Sequence, residues 1–216
     1  MAHAHAGTIH HAEQPSAHTG LETRKLAIWT FIGSECLFFA SLISTYLVYK
    51  GKSLIGPLPH ESSQCMLHGR LQECEGIFEI SLVTVGTAVL LFSSFFVVMA
   101  LNGAQTGNRR RLIGWLTATV LGGLFFVGMQ VYEFTHFFHK GLGYTTNLFG
   151  STFYTLTGFH GTHVTIGVIW LATVLVLAIR GKLPPEKALN LELAALYWHF
   201  VDVVWIVIFP TVYLMR

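Results

Sequence analysis

Phe159-His160-Gly161-Thr162-His163 sets two imidazoles three residues apart, and Tyr197-Trp198-His199-Phe200-Val201-Asp202 sets an imidazole three residues before a carboxylate. Glu133-Phe134-Thr135-His136 repeats that spacing, and Glu35 stands alone within Phe31-Ile32-Gly33-Ser34-Glu35-Cys36-Leu37-Phe38-Phe39. Residues three apart share one face of a helix. Imidazoles and carboxylates both ligate metals and pass protons, so one reading is a proton relay or a metal or haem site. The other is a hydrogen-bonded set that fixes helix packing, aided by Gly158, Gly161 and Gly167, which let backbones approach. An ordinary metal site takes three or four ligands at matched geometry. Spacing alone does not make these histidines converge, so packing is the preferred reading, with no metal and no catalytic residue assigned to this chain.

The elements that carry these groups belong to a membrane protein. Only 11% of the 216 residues are charged and 52% are hydrophobic, with a mean hydropathy of +0.56, too apolar for an ordinary soluble domain. Five apolar runs follow one another, at about 26–49, 80–101, 112–138, 151–179 and 193–215. The first, at 1.5 Å per residue, spans about 36 Å as a helix, enough to cross a hydrocarbon core. No loop divides the set, which predicts an all-α bundle of five transmembrane helices over 24–216, preceded by a histidine-rich tail over 1–23. His3, His5, His10, His11 and His18 in that tail are read as solvated, with incidental metal affinity. The tail has no apolar run that would make a cleavable signal peptide. A net charge of +2, with the basic residues in loops, offers no basic patch for nucleic acid.

Depth along each helix places the polar groups. Glu35 lies ten residues beyond Lys25, roughly 15 Å deep and near the midplane, where an acid is costly and by default functional. His160, His163, His199 and Asp202 fall at similar depth, so these five residues are expected to share one layer. Glu133 and His136 lie near the far end of the third span, at the outer interface. Glu-x-x-His is half of a di-iron signature, but the full site needs a second copy and two more glutamates, and Glu35 and Asp202 are the only acids inside the other expected spans. Di-iron chemistry is therefore rejected. Trp115 and Trp198 near inner ends, and Tyr132 and Tyr213 near outer ends, are read as interfacial anchors.

Basic residues set the expected orientation. With the N-terminus cytoplasmic, the inner side collects Arg24, Lys25, Arg109, Arg110, Arg111, Arg180, Lys182 and Lys187, against Lys50, Lys52, Arg70, Lys140 and Arg216 outside. Five spans then put the C-terminus outside. The loop from Lys50 to Phe78 faces the oxidising compartment, and a disulfide between Cys65 and Cys74 is expected there, worth about 2.7 kcal/mol by loop closure. Two unpaired thiols are the alternative. Cys36, inside the first span, is read as packing.

Taken together, Gly33-Ser34-Glu35 with Leu37-Phe38-Phe39, Gln130-Val131-Tyr132-Glu133-Phe134, Gly150-Ser151-Thr152-Phe153-Tyr154, Thr157 to Val164 and Tyr197 to Trp205 resemble subunit III of the haem-copper terminal oxidases, of the cytochrome c oxidase type. The resemblance runs from about Arg24 to Arg216, while the tail and the loop from Lys50 to Phe78 look individual. It implies a chain without a redox centre, packed against the catalytic subunit I and subunit II, with the haems and copper held there and structural phospholipid bound. It implies that Glu35 is the family's buried carboxylate, which reacts with carbodiimide, a reagent for protonated carboxyls in apolar surroundings. It further implies support of proton uptake, lipid binding and protection of the active site from turnover inactivation. Trp198, His199, Arg109, Arg110 and Arg111 become candidates for lipid or interhelical contacts, and Asp202 for a bundle hydrogen bond. Longer family members have seven helices, and this chain begins at what looks like their third.

A quinol oxidase subunit III, or the related subunit of nitric oxide reductases, fits the same residues. A self-standing proton-coupled transporter would show inverted repeats, and none is visible. A haem b cytochrome would need two histidines on facing helices.

Overall fold

The computed structural model describes residues 23–50, 52, 63–67, 70–74, 80–183 and 188–215. The helices are α1 (Thr23–Tyr49), α2 (Ile80–Gln105), α3 (Arg109–His139), α4 (Leu148–Ile179) and α5 (Ala188–Phe209), the last running into a π-helical turn at Pro210–Leu214. With that turn included, all five are long and apolar enough to cross a membrane. The histidine-rich tail lies outside the described residues.

Four helix starts and the strands differ from the expected bounds. α1 takes in Thr23 to Lys25, α3 takes in the three arginines, α4 begins at Leu148, and α5 begins at Ala188, which brings Glu192 into a helix. Asn108 and Asn147 set the starts of α3 and α4, accepting hydrogen bonds from Arg111 N and Gly150 N through their side chains. The loop after α1 holds an antiparallel hairpin, β1 (Ser63–Leu67) and β2 (Arg70–Cys74), with Leu67 opposite Arg70. Its register sets Cys65 opposite Gln72 and Cys74 opposite Ser63. The side chains of the hairpin, and with them the expected disulfide, lie outside the described residues.

α2 and α3 form a tight antiparallel pair. Gly107, at φ 69°, closes the end of α2 with Asn108 N donating to Gly103 O at 2.9 Å, a left-handed position that glycine adopts without a Cβ penalty. A Cβ on Gly103 would stand 2.8 Å from Leu112 N, so the backbones themselves touch there. α4 packs on α3, α5 packs on α2 and α4, and α1 lies outermost on α4 and α5. Only Phe39 and Tyr46 of α1 are buried.

Side chains tie the helix ends across the bundle. At one end Lys25 meets Glu192 at 2.7 Å, and Arg109 donates to the Ala178 and Ile179 carbonyls that end α4. At the other, Lys50 Nζ donates to Thr211 O at 3.3 Å and Met215 O at 2.6 Å. The π-helical turn has a plain cause. Pro210 lacks an N–H and its ring crowds the preceding turn, and Met215 N then reaches Pro210 O at 2.9 Å.

Trp198 and Trp205 of α5 form the centre. Trp198 Nε1–H donates to Ser93 Oγ at 3.0 Å and Trp205 Nε1–H to Thr87 Oγ1 at 2.9 Å, both on α2. The ring of Trp198 lies between Gly123 of α3 and Gly167 of α4, where a Cβ would come within 2.7 and 2.8 Å of it. Trp198 is therefore a core residue at 1% exposure, not an interfacial anchor, and Tyr213 is likewise fully buried. Trp115 is half-buried and Tyr132 is exposed.

Candidate functional site

α1 turns Glu35 toward α4, on the face that also carries Phe39, Leu42 and Tyr46. Glu35 Oε2 lies 3.2 Å from His163 Nε2. The other ring nitrogen, Nδ1, lies 2.8 Å from the Phe159 carbonyl one turn back on α4. A carbonyl only accepts, so Nδ1 carries a proton. Nε2 then either accepts a proton held on Glu35 or donates one to its carboxylate. In both states the pair shares a single exchangeable proton and has no net charge. Phe39 presents its edge to the His163 ring at 5.0 Å, and Tyr197 OH donates to His163 O at 3.1 Å, which ties the α4 backbone at this turn to α5. The side chains of His163 and Glu35 are 14% and 20% exposed, so the pair lies just beneath the outer surface of the bundle.

His160 points elsewhere. It is fully buried, stacked on Trp205 at 4.8 Å with edge contacts to Phe126 and Phe39, and neither ring nitrogen has a hydrogen bond among the described residues. Asp202 is also buried, but toward α2, where Ser94 interacts with its carboxyl. His199, one turn before it on α5, is half-buried. The expected single polar layer is thus divided, with the Glu35–His163 pair, His160 among aromatic rings, and Asp202 with Ser94 on the α2 side of α5. Equal depth does not bring side chains together when their helices turn them to different sides. Among the described residues no three His, Cys, Asp or Glu side chains converge as metal ligands.

Glu133 is the other correction. It is 5% exposed and accepts a hydrogen bond from Tyr213 OH at 3.0 Å, so it belongs to the core near the helix ends and not to the water interface. His136 is half-buried beside it, stacked against Tyr132 at 6.0 Å. Arg109 is committed to the end of α4, while Arg110 and Arg111 are exposed.

Two residues gain roles that their types alone do not announce. Gln130 Nε2 donates to Thr157 O at 2.7 Å, and a Cβ on Gly161 would come within 2.6 Å of Gln130 Oε1. Glu192 partners Lys25. The signal for the first was a lone amide within an apolar run, opposite a glycine.

The family model described as "Cytochrome c oxidase subunit III" matches residues 4–216, which includes the loop and most of the tail. Quinol oxidase subunit 3 of Bacillus subtilis (strain 168) is 36% identical over 215 residues, covering 100% of this chain and 98% of that protein. Cytochrome c oxidase subunit 3 of Bacillus sp. (strain PS3) is 38% identical over 190 residues, covering 88% of this chain and 84% of that one. Cytochrome bo(3) ubiquinol oxidase subunit 3 of Pseudomonas putida is 35% identical over 190 residues, with 88% and 84% covered.

Proposed function

The chain belongs to the subunit III family of the haem-copper terminal oxidases, and we propose that it serves, without a redox group of its own, a proton-pumping oxidase of the cytochrome c type. It is a multi-pass protein of a bacterial cytoplasmic membrane. In the proposal the N-terminus is cytoplasmic and the catalytic subunit I, with subunit II, holds the haems and copper. The observation that carries the reading is the Glu35–His163 pair. A carboxyl and an imidazole sharing one proton at membrane depth, near the bundle surface, can hold that proton without a buried net charge. Such a pair suits a chain that supports proton uptake and lipid contact for chemistry in a neighbour.

A second reading, quinol as electron donor, is favoured by the whole-length match to a quinol oxidase subunit 3. The purified complex assayed against reduced cytochrome c and against a quinol separates the two. For the accessory role, Glu35→Gln in the complex should leave haem and copper content unchanged while shortening the number of turnovers before inactivation or slowing proton uptake. Loss of haem or copper in that variant contradicts the role.

A further inference from the structure

Tyr197 of α5 stands where the two helices that carry the Glu35–His163 pair meet. It is 3% exposed. Its hydroxyl donates to the His163 carbonyl at 3.1 Å, and its ring stacks on Phe31 with centroids 6.3 Å apart. Phe31 lies one turn before Glu35 on α1. One side chain thus touches α4 at the residue that supplies the imidazole and α1 a turn from the residue that supplies the carboxyl. Glu35 is also close enough to act electrostatically on the Tyr197 hydroxyl. Trp170 of α4, at 5.7 Å, and Phe200 of α5, at 6.5 Å, hold the ring further.

The hydroxyl bond is not one that the backbone requires. Within α4 the His163 carbonyl is placed to accept from the N–H of Gly167, and a carbonyl has a second lone pair to offer. Gly167 is what lets the phenol reach it. A Cβ there would stand 3.2 Å from Tyr197 Cε1 and 2.8 Å from Trp198 Cε3, so the bare backbone admits Tyr197 and Trp198 side by side. Trp198 is itself bonded to Ser93 and packed on Gly123. Two neighbouring residues of α5 therefore link the pair to the buried centre of the bundle. The pair has need of such a link, because α1 is outermost and buries only Phe39 and Tyr46. A roll or slide of α1 on α4 is the motion that would part Glu35 from His163.

We propose that Tyr197 is a positioning residue of the Glu35–His163 pair, its hydroxyl and ring holding α4 and α1 in the register at which one proton is shared. The proposal rests on the reading of that pair as the chain's proton-supporting group. Tyr197 exchanges no proton with the pair and acts only through where the two partners stand. Without the hydroxyl the contact opens. The proton then settles on Glu35, since a lone carboxylate at this depth is costly, and His163 Nε2 is left bare.

The test uses the assembled complex with Tyr197→Phe, which keeps the ring and removes the hydroxyl. Labelling of Glu35 by a hydrophobic carbodiimide, followed by mass spectrometry at one pH, should run about threefold faster than in the wild type, the equivalent of about 0.6 kcal/mol for an intramembrane hydrogen bond. In 15N-histidine spectra the His163 Nε2 signal should move toward that of a bare ring nitrogen while Nδ1 stays protonated, a change that a general loosening of the bundle does not produce. In a His163→Leu background the same substitution should add nothing. Tyr154→Phe, which removes another hydroxyl from a backbone carbonyl, that of Leu142 at 2.8 Å, should label like the wild type. Should Tyr197→Phe not assemble, Phe31→Leu decides by the same labelling, because it loosens the ring contact from a residue 42% exposed. Wild-type labelling with an unmoved Nε2, an increase that persists in full without His163, or an equal increase in Tyr154→Phe overturns the proposal. These readouts are taken at Glu35 and His163 themselves, so their failure strikes the positioning role alone, whereas loss of haem or copper in Glu35→Gln strikes the reading beneath it.

Discussion

Trp198 of α5 donates to Ser93 of α2 while its ring fills the gap between Gly123 of α3 and Gly167 of α4. One side chain therefore joins four helices, and two glycines are small because the indole is large. Gly123→Ala and Gly167→Ala each force a methyl against a rigid ring and should cost about 1 to 3 kcal/mol. Trp198→Phe should cost more than the hydrogen bond alone, which in a membrane averages about 0.6 kcal/mol, because it also opens a cavity. Thermal unfolding in detergent measures all three; a Gly167→Ala variant as stable as the wild type would mean that the indole can move aside.

Gly161 and Gln130 form a second fitted pair, and here the neighbour is flexible. Gly161→Ala should displace the Gln130 amide and break its bond to the Thr157 carbonyl, costing about 1 kcal/mol. The same substitution made in a Gln130→Ala background should be nearly neutral, since the obstructing amide is gone. A double-mutant cycle in which the two effects simply add would show that the contact carries no coupling.

At the helix ends charge does less than it suggests. Lys25 and Glu192 are each about one-third exposed, so Lys25→Ala should change stability by no more than about 1 kcal/mol, and less at high salt. Tyr213→Phe should cost more, about 1 to 3 kcal/mol, because it takes a hydrogen-bond donor from a buried Glu133. Urea or thermal unfolding of the two variants gives the order. A larger loss for Lys25→Ala reverses it.

The five spans and their order were legible from apolar runs and charge gaps, because lipid demands about twenty uncharged residues per crossing. The azimuth of each side chain was not. A helix that meets lipid on one side and protein on the other is apolar all round, so periodicity does not mark its inner face. Trp198 and Tyr213 therefore read as anchors and Glu133 as an interface acid, when all three are core. The same blindness merged His160, His163, His199 and Asp202 into one layer. Glu35 was found by its isolation among apolar residues, but its partner was settled only by packing, since His160 and His163 had equal claims by spacing. The hairpin after α1 was passed over because the ten residues of its two strands carry little alternation.

The Phe159 carbonyl dictates the proton on His163, and this is open to a direct test. With 15N-labelled histidine in the assembled complex, the His163 ring should show a protonated Nδ1, because that proton is donated within α4. Nε2 should change between bare and protonated only as the shared proton moves between the ring and Glu35. In Glu35→Gln the amide can donate to Nε2, so the ring should keep its Nδ1–H form while losing the shared proton. That variant isolates the proton from the geometry, since Gln holds the hydrogen bond but cannot release a proton. His163→Leu removes both. If the two variants shorten enzyme lifetime equally, the shared proton is what matters; if only His163→Leu does, the pair acts through packing of α1 on α4. A His163 ring found with a bare Nδ1 would dismiss the one-proton pair altogether.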